Sequence, residues 1–368
     1  MSANSNQEHE HEHEHEQETG KLAIRLANAV VVPMVLKSAL ELSIIDIIFT
    51  ATKSGASLSP SEIAAKIPSK NPDAPVLLDR MLRLLASYDI LECSLVTKEN
   101  GGAERLYSAK PICKFLTRTQ DQQGSVAPLF LLHHDEVFMK SWYHLNDTIL
   151  EGGNSFTRAY GMTAFDYPKT NQRFYGVFSE AMLNHTTLIT KKILDVYKGF
   201  DGLKVLVDVG GGVGVTLNLI TSKYPHMKGI NFDLPHVLAN APSYSGVAHV
   251  VGDMFVSVPK GDAIFMKWIL RGWSDEHCLK LLKNCWEALP STGGKVIIVE
   301  SILPVVPENV VSSHTVFEQD VFMLTQLPGG KERSQQEYEA LAIKSGFSSS
   351  AVICCVFNCW VMEFHKSE

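Results

Sequence analysis

The stretch Val205-Leu206-Val207-Asp208-Val209-Gly210-Gly211-Gly212-Val213-Gly214 decides the fold of this chain. An apolar run typical of a buried strand leads into a glycine-rich turn, and a helical pattern follows the turn. Glycines at such a turn let the backbone bend tightly and approach a ligand closely. Because several nucleotide-binding folds share this feature, the stretch alone predicts a class of fold and leaves the ligand open.

Apolar strands and helices alternate along the chain from about residue 203. The segments are Lys204–Val209, Leu217–Lys223, Lys228–Asp233, Ala248–Gly252, Ala263–Lys267, Cys278–Leu289 and Lys295–Val299. This alternation predicts an α/β, Rossmann-like domain over residues 201–368, with a mostly parallel sheet covered by helices on both faces. Ligands of such sheets bind at the carboxyl ends of the strands, where the strand order switches.

Residues 21–118 have the pattern of a mostly helical, winged-helix-like domain. Ser59-Pro60-Ser61-Glu62 is a capping box that opens a helix. A second amphipathic helix is predicted over Val76–Ser87, and strands over Leu91–Val96 and Leu106–Ser108. The unit lacks a basic recognition helix, so we expect a role in dimerisation or as a substrate lid rather than in DNA binding.

Two further segments have distinct compositions. Residues 119–200 are predicted to form a helical linker rich in aromatic residues, some of which would line a pocket for an aromatic ligand. Residues 1–20 are polar and alternate glutamate and histidine from Glu8 to Glu16, so we expect a disordered, solvated tail. Its histidines could bind a transition metal weakly, but we predict no functional metal site there.

Charge and cysteine content exclude several classes of function. The net charge is −7, with no dense cluster of lysine and arginine, which argues against a nucleic acid or an anionic membrane as partner. Seven cysteines without a spaced framework indicate reduced thiols and a cytoplasmic protein. No secretory signal and no apolar run long enough to span a membrane are recognised. A small aromatic ligand fits this net charge better than a nucleic acid or an anionic membrane does.

Acidic, thioether and amine side chains follow the predicted strands at the edge where the cofactor would bind. Asp233 ends the second strand, where it can accept hydrogen bonds from a ribose, and Asp253-Met254 follow the third, where they can hold an adenine. Lys267 closes the fourth strand. The glycines 210–214 depart from the dinucleotide spacing, so the layout favours S-adenosylmethionine (SAM).

The chain resembles the plant caffeic-acid-type O-methyltransferases along nearly its whole folded length. The motifs that carry the resemblance are Asn231–His236, Gly252–Phe255, Met266–Glu276 and Pro328–Arg333. The resemblance implies a homodimer with interleaved N-terminal domains and a SAM or S-adenosylhomocysteine (SAH) site. It implies that the cofactor contacts are Gly210, Asp233, Asp253, Met254 and Lys267, with Thr186 and Asp208 nearby, and that the apolar walls of a phenolic-substrate pocket are Phe174, Phe178, Met182, Trp268 and Met323.

The acceptor half of the chain departs from the family pattern. The family carries a His-Asp pair whose histidine removes the phenol proton between two glutamates; here Glu300 and Glu332 remain, but Arg271-Gly272 replace the pair. An arginine, with a pKa above ~12, cannot take that proton near neutral pH. His133 and Leu327 stand where relatives carry asparagines that contact the phenol. Arg271 either pairs with the two glutamates or faces the ligand.

Because the changes gather around the acceptor, we expect repurposing rather than decay. The first hypothesis is coumarin formation, by isomerisation and lactonisation of an ortho-hydroxycinnamate. Arg271 would bind the carboxylate, and His133, with a pKa near neutrality, would act as acid and base. The second is a retained O-methyltransferase of an acidic phenol with impaired base catalysis. The third is a non-catalytic subunit that forms a heterodimer with a paralogue.

Overall fold

The computed structural model describes residues 2–98, 101–118 and 123–366. The chain consists of two compact units, Met1–Arg118 and Thr119–Glu368. The predicted helical segment 119–200 therefore belongs to the second unit, together with the strands that follow it.

The first unit combines helices with a two-stranded antiparallel sheet. Its elements are α1 (Ser2–Ala27), α2 (Val31–Glu41), α3 (Ile44–Lys53), α4 (Pro60–Ala64), α5 (Ala74–Ser87), β1 (Leu91–Thr97), β2 (Ala103–Ala109) and α6 (Cys113–Leu116). The predicted capping box opens α4: Ser59 Oγ accepts from the backbone N–H of Glu62 at 3.3 Å, and the Glu62 carboxylate accepts from the N–H of Ser59 at 2.7 Å.

Residues 2–20 lie in helix α1, which differs from the disordered tail that the sequence predicts. The high helix propensity of glutamate accounts for regular structure in a segment without an apolar face. The side chains of residues 13–20 are exposed. Among the described residues no single helix meets the length and apolarity of a membrane span, and one bent pair, His13–Ala27 with Val31–Glu41, meets them together.

The second unit begins with helices and continues as an alternating α/β domain. The helices are α7 (Ala127–His133), α8 (Glu136–Trp142), α9 (Leu145–Glu151), α10 (Ser155–Tyr160), α11 (Tyr167–Thr170), α12 (Gln172–Val196), α13 (Val215–Lys223), α14 (Pro235–Leu238), α15 (Asp275–Ala288), α16 (Val311–Gln326) and α17 (Gln335–Lys344). The strands are β3 (Val205–Val209), β4 (Lys228–Asp233), β5 (Val247–Val251), β6 (Ala263–Lys267), β7 (Lys295–Glu300), β8 (Ser349–Val356) and β9 (Cys359–His365).

The described strands of this unit form one seven-stranded sheet in the order β5-β4-β3-β6-β7-β9-β8. Strands β3 to β7 pair in parallel, and β8 and β9 extend the sheet antiparallel. The predicted α/β fold with a mostly parallel sheet is therefore confirmed. The strand order reverses between β3 and β6, so the carboxyl ends of these two strands flank the crevice where ligands of such sheets bind.

Both faces of the sheet are covered, because successive strand residues point to opposite sides. Val207 of β3 and Ile264 of β6 belong to the buried cluster that includes α15 and α17. Leu206 and Phe265, one position away on the same strands, pack with α12 and α13 on the other face. The seven cysteines are free thiols.

Candidate active site

The turn after β3 requires glycine at several positions. Gly210, Gly212 and Gly214 have φ angles of 69°, 59° and 89°, in the left-handed region. A Cβ built on Gly211 would lie 2.1 Å from Asn231 Oδ1, so only glycine fits there. The turn can therefore bring its backbone N–H groups close to a ligand, as predicted from the sequence.

Asp233 fastens this turn to the end of β4. Its Oδ2 accepts from the N–H of Gly212 at 2.9 Å, and its Oδ1 accepts from the N–H of Leu234 at 2.7 Å. Burial raises the pKa of Asp233 above its usual value despite these two backbone donors. Each oxygen keeps a lone pair for a further donor, such as a hydroxyl of a ribose.

Asp208 and Asn231 lie buried beneath the turn, opposite each other in the paired strands β3 and β4. Burial and the neighbouring Asp233 raise the pKa of Asp208 to about 8. The Asn231 amide donates to the carbonyl of Gly212 at 2.8 Å and to Nδ1 of His249 at 3.0 Å. Sequence reasoning missed Asn231, although its position two residues before Asp233 places it on the same face of the strand.

Asp253 and Met254 directly follow β5. The exposed carboxylate of Asp253 accepts from the N–H of Phe255 at 2.8 Å. The carbonyl of the half-buried Met254 accepts from Nδ2 of Asn284 in α15, also at 2.8 Å. These bonds fix the loop at the carboxyl end of the sheet, and the partly buried Met254 side chain packs against the buried cluster on one face of the sheet.

Lys267, at the end of β6, is held by two residues of α12. Its Nζ lies 3.1 Å from Nδ1 of His185 and 3.3 Å from Oγ1 of Thr186. Burial lowers the pKa of Lys267 to about 8. The sequence predicted Lys267 and Thr186 as site residues but missed His185.

Trp268 is the strained residue of the site. Its φ of 58° lies in the left-handed region, which costs a bulky residue free energy and is seen where the surroundings enforce it. The indole stacks on His185 at a centroid distance of 3.8 Å, and Cζ of Arg271 lies 4.5 Å from the ring centroid. The strained backbone thus presents one aromatic ring to both groups.

Arg271 lies in the 3₁₀ turn Leu270–Gly272 and is only 5% exposed. Its Nη2 forms an ion pair with Oε1 of Glu332. Glu300 instead accepts the backbone N–H of Leu270 at 2.8 Å, and burial together with Glu332 raises the pKa of Glu300 to about 7. The Nε–H of Arg271 is buried and has no hydrogen-bond partner among the described residues.

His133 stacks on Phe322 of α16 at a centroid distance of 4.2 Å. Burial and the positive charge of Arg271 lower the pKa of His133 to about 3. The imidazole is therefore neutral at physiological pH, which differs from the near-neutral pKa expected from the sequence. Water solvates the charged form of an exposed imidazole and keeps its pKa near neutrality, and burial of His133 removes that solvation.

The predicted apolar wall residues Phe174, Phe178, Met182 and Trp268 belong to one cluster built on α7, α8 and α12. Phe322 packs into this cluster, whereas its neighbour Met323 is not among the cluster's residues. A Cβ built on Gly272 would lie 3.5 Å from both Leu327 Cδ1 and Phe165 Cζ. Leu327 and Phe165 thus form an apolar surface next to Gly272.

Comparisons with known proteins identify the family of this chain. Residues 142–348 match the O-methyltransferase domain, and residues 24–119 match the O-methyltransferase dimerisation domain. The chain belongs to the plant caffeic-acid-type O-methyltransferase family. This family is SAM-dependent, so SAM is the cofactor, and the dimerisation domain supports the predicted homodimer.

Relatives match along almost their whole length. The chain is 59% identical over 344 residues to caffeic acid 3-O-methyltransferase of Catharanthus roseus, covering 94% of each chain. It is 57% identical over 349 residues to esculetin O-methyltransferase of Kitagawia praeruptora, covering 95% of each. It is 56% identical over 345 residues to inositol 4-methyltransferase of Mesembryanthemum crystallinum, covering 94% of this chain and 93% of that relative.

Solved structures share the fold. Human N-acetylserotonin methyltransferase in complex with SAM superimposes with a TM-score of 0.79 at 20% identity, covering 95% of this chain and 98% of that one. CalO1, a methyltransferase of calicheamicin biosynthesis in its SAH-bound form, gives 0.77 at 21% identity over the same shares.

Proposed function

We propose that this O-methyltransferase-family protein methylates an acidic phenol of the hydroxycinnamate or coumarin type, binding it as the phenolate beside Arg271. The buried Nε–H of Arg271 without a partner among the described residues carries the proposal. A buried guanidinium N–H leaves a polar group unsatisfied until an acceptor arrives, and an anionic oxygen is its strongest partner. The names of two relatives, for caffeic acid and esculetin, support the phenolic class.

The cofactor is assigned to the edge formed by the turn after β3 and the ends of β4, β5 and β6. Gly210 supplies close backbone approach, Asp233 accepts the ribose hydroxyls, and Asp253 and Met254 hold the adenine. Lys267 lies at the end of β6 with Thr186, and Asp208 lies beneath the glycine turn. When bound, SAM supplies the methyl group.

The acceptor is assigned to the cluster around Trp268. Phe174, Phe178 and Met182 provide apolar contact for a flat ring, and Leu327 closes the side next to Gly272. The neutral imidazole of His133 can donate one hydrogen bond and accept another, so it suits a hydroxyl substituent of the ring. No residue needs to take the phenol proton if the acceptor is ionised before it binds.

Coumarin formation is the second candidate, because the same Nε–H of Arg271 could receive the carboxylate of an ortho-hydroxycinnamate. Ring closure would form an ester bond between phenol oxygen and carboxyl carbon and release one water. His133 was the expected general acid for this route. With a pKa of about 3, its imidazole is neutral at pH 7 and cannot act as that acid. Methyl transfer to a phenolate has no such requirement and is therefore preferred.

The decisive experiment incubates the purified protein with SAM and a series of hydroxycinnamates and hydroxycoumarins of decreasing phenol pKa. Product masses are then measured. A gain of one methyl group, fastest for the most acidic phenols, supports the proposal, whereas a loss of one water supports coumarin formation. Tight SAM binding without any product overturns both and supports the non-catalytic partner of a heterodimer.

A further inference from the structure

Two buried side-chain oxygens, Oδ1 of Asn231 and Oδ2 of Asp208, lie beneath the cofactor turn and close to Gly211. A Cβ built on Gly211 would lie 2.1 Å from Oδ1 of Asn231 and 2.6 Å from Oδ2 of Asp208. Both oxygens are buried, and neither has a hydrogen-bond partner among the described residues. Buried acceptors without a donor are unfavourable, and a proton on the Asp208 carboxyl group would supply such a donor.

The orientation of the Asn231 amide is fixed by its other contact. Its nitrogen donates to the carbonyl of Gly212 at 2.8 Å, and a carbonyl can only accept. Turning the amide over would place two acceptors against each other at Gly212. The oxygen of Asn231 therefore lies on the side of Gly211, where Oδ2 of Asp208 also lies, and a protonated carboxyl group would supply the donor that both oxygens lack.

We infer that Asp208 is protonated in the cofactor-free protein and releases this proton to solvent when the cationic cofactor binds. The neutral carboxyl group donates to Oδ1 of Asn231 and completes the polar chain that holds Gly212. A cation brought to the glycine turn by SAM stabilises the ionised carboxylate, so binding of the cofactor and loss of the proton are linked.

The charged and polar groups around Asp208 come from every neighbouring element. Asp233 of β4 opposes ionisation, whereas Lys267 of β6 and the hydroxyl of Thr216 in α13 favour it. His249 of β5 acts through Asn231: its Nδ1 accepts from the amide at 3.0 Å, and its Nε2 lies 2.9 Å from the carbonyl of Pro242. Burial adds the largest opposing contribution, and burial and Asp233 outweigh Lys267 and Thr216, which leaves the pKa of Asp208 raised to about 8.

Isothermal titration calorimetry in two buffers with different ionisation enthalpies tests the inference without any acceptor or turnover. Between pH 7 and pH 8, SAM binding should release up to one proton, and the affinity for SAM should rise by up to about tenfold per pH unit. 5′-Methylthioadenosine, which has the adenosine part but no cation, should release none. Equal heats for SAM in both buffers, or the same proton release with both ligands, would overturn the inference.

Asp208→Asn keeps the shape of the side chain and should bind SAM with no proton release and a flat pH profile. Asp253→Asn is the control: it lowers the affinity for SAM but should leave the proton release unchanged. If Asp208→Asn does not fold, infrared difference spectroscopy of the unaltered protein decides. The carbonyl stretch of a protonated carboxyl group should be present without SAM and disappear on binding; no such band would overturn the inference.

Proton release is independent of the acceptor chemistry. A protein that releases the proton and forms no methylated phenol contradicts the proposed function alone. A protein that methylates phenols without proton-linked SAM binding contradicts this inference alone.

Discussion

The Arg271 guanidinium forms an ion pair with the Glu332 carboxylate inside the protein, at the position where the family resemblance implies a histidine. Glu300, the second carboxylate, binds the backbone of the turn that carries Arg271. The substitution thus replaces a titrating base with a permanent cation that pairs with one of the two glutamates, Glu332. The acceptor site keeps both glutamates, but the residue at position 271 can no longer take a proton near neutral pH.

Removing the cation should leave an unpaired buried carboxylate. We expect Arg271→Met to lower the free energy of unfolding by about 3–5 kcal/mol at pH 8, as when one partner of a buried pair is deleted. The loss should shrink at pH 5, because burial raises the pKa of Glu332 and the carboxyl can take a proton instead. Urea denaturation at pH 8 and at pH 5 measures the loss of unfolding free energy at each pH. Arg271→Met/Glu332→Gln should regain most of the stability, and an equal loss at both pH values would contradict the account.

Glu300 should make the protein less stable as the pH rises. Its pKa is raised from 4.5 to about 7, so the folded state binds the proton more tightly than the unfolded state. This contribution is complete below pH 4.5 and is lost as the pH rises through 7; its size is about 3 kcal/mol. Glu300→Gln should remove this dependence from melting curves recorded between pH 5 and pH 8. The exposed Glu287→Gln is the control, and an unchanged slope in Glu300→Gln would refute the assignment.

Trp268 allows backbone strain to be separated from ring contacts. Both Trp268→Ala and Trp268→Gly lose the stack on His185, but only glycine accepts a φ of 58° without strain. We expect the glycine variant to be more stable than the alanine variant by about 1 kcal/mol, opposite to the usual order. Thermal unfolding gives the comparison. A more stable alanine variant would show that the left-handed backbone carries no cost.

Restoring the His-Asp pair of the family in place of Arg271 and Gly272 should also require a change at Leu327. In Arg271→His/Gly272→Asp, the new carboxylate would enter the apolar surface formed by Leu327 and Phe165, each 3.5 Å from the built Cβ. Adding Leu327→Asn supplies a polar neighbour, so we expect methyl transfer by the triple variant to exceed that of the double variant by about tenfold, which corresponds to about 1.4 kcal/mol of activation free energy. The rate at which each variant methylates a phenol of ordinary pKa measures this difference. Equal rates in both variants would contradict the expected role of Leu327.

The α/β domain and the cofactor edge could be predicted because they depend on local patterns. The run of apolar residues before Gly210 and the acidic residue at the end of β4 both follow from strand periodicity and turn chemistry. The partner of Arg271 could not be predicted, since Glu300 and Glu332 are equally placed in the sequence and only packing separates them. Likewise, nothing in the pattern of α16 distinguishes Phe322 from Met323, and the low pKa of His133 arises from burial that appears only in three dimensions.

The central claim is that the acceptor phenol binds as its phenolate beside Arg271. The pKa of a bound phenol tests this claim most directly. A nitrophenol acceptor, whose phenolate absorbs visible light, is titrated with pH in the complex of the protein with SAH. If Arg271 stabilises the phenolate, the pKa of the bound phenol should lie at least one unit below its value in water, and Arg271→Met/Glu332→Gln should abolish this shift. A bound phenol with an unchanged or raised pKa, or the same shift in the double variant, would contradict the account.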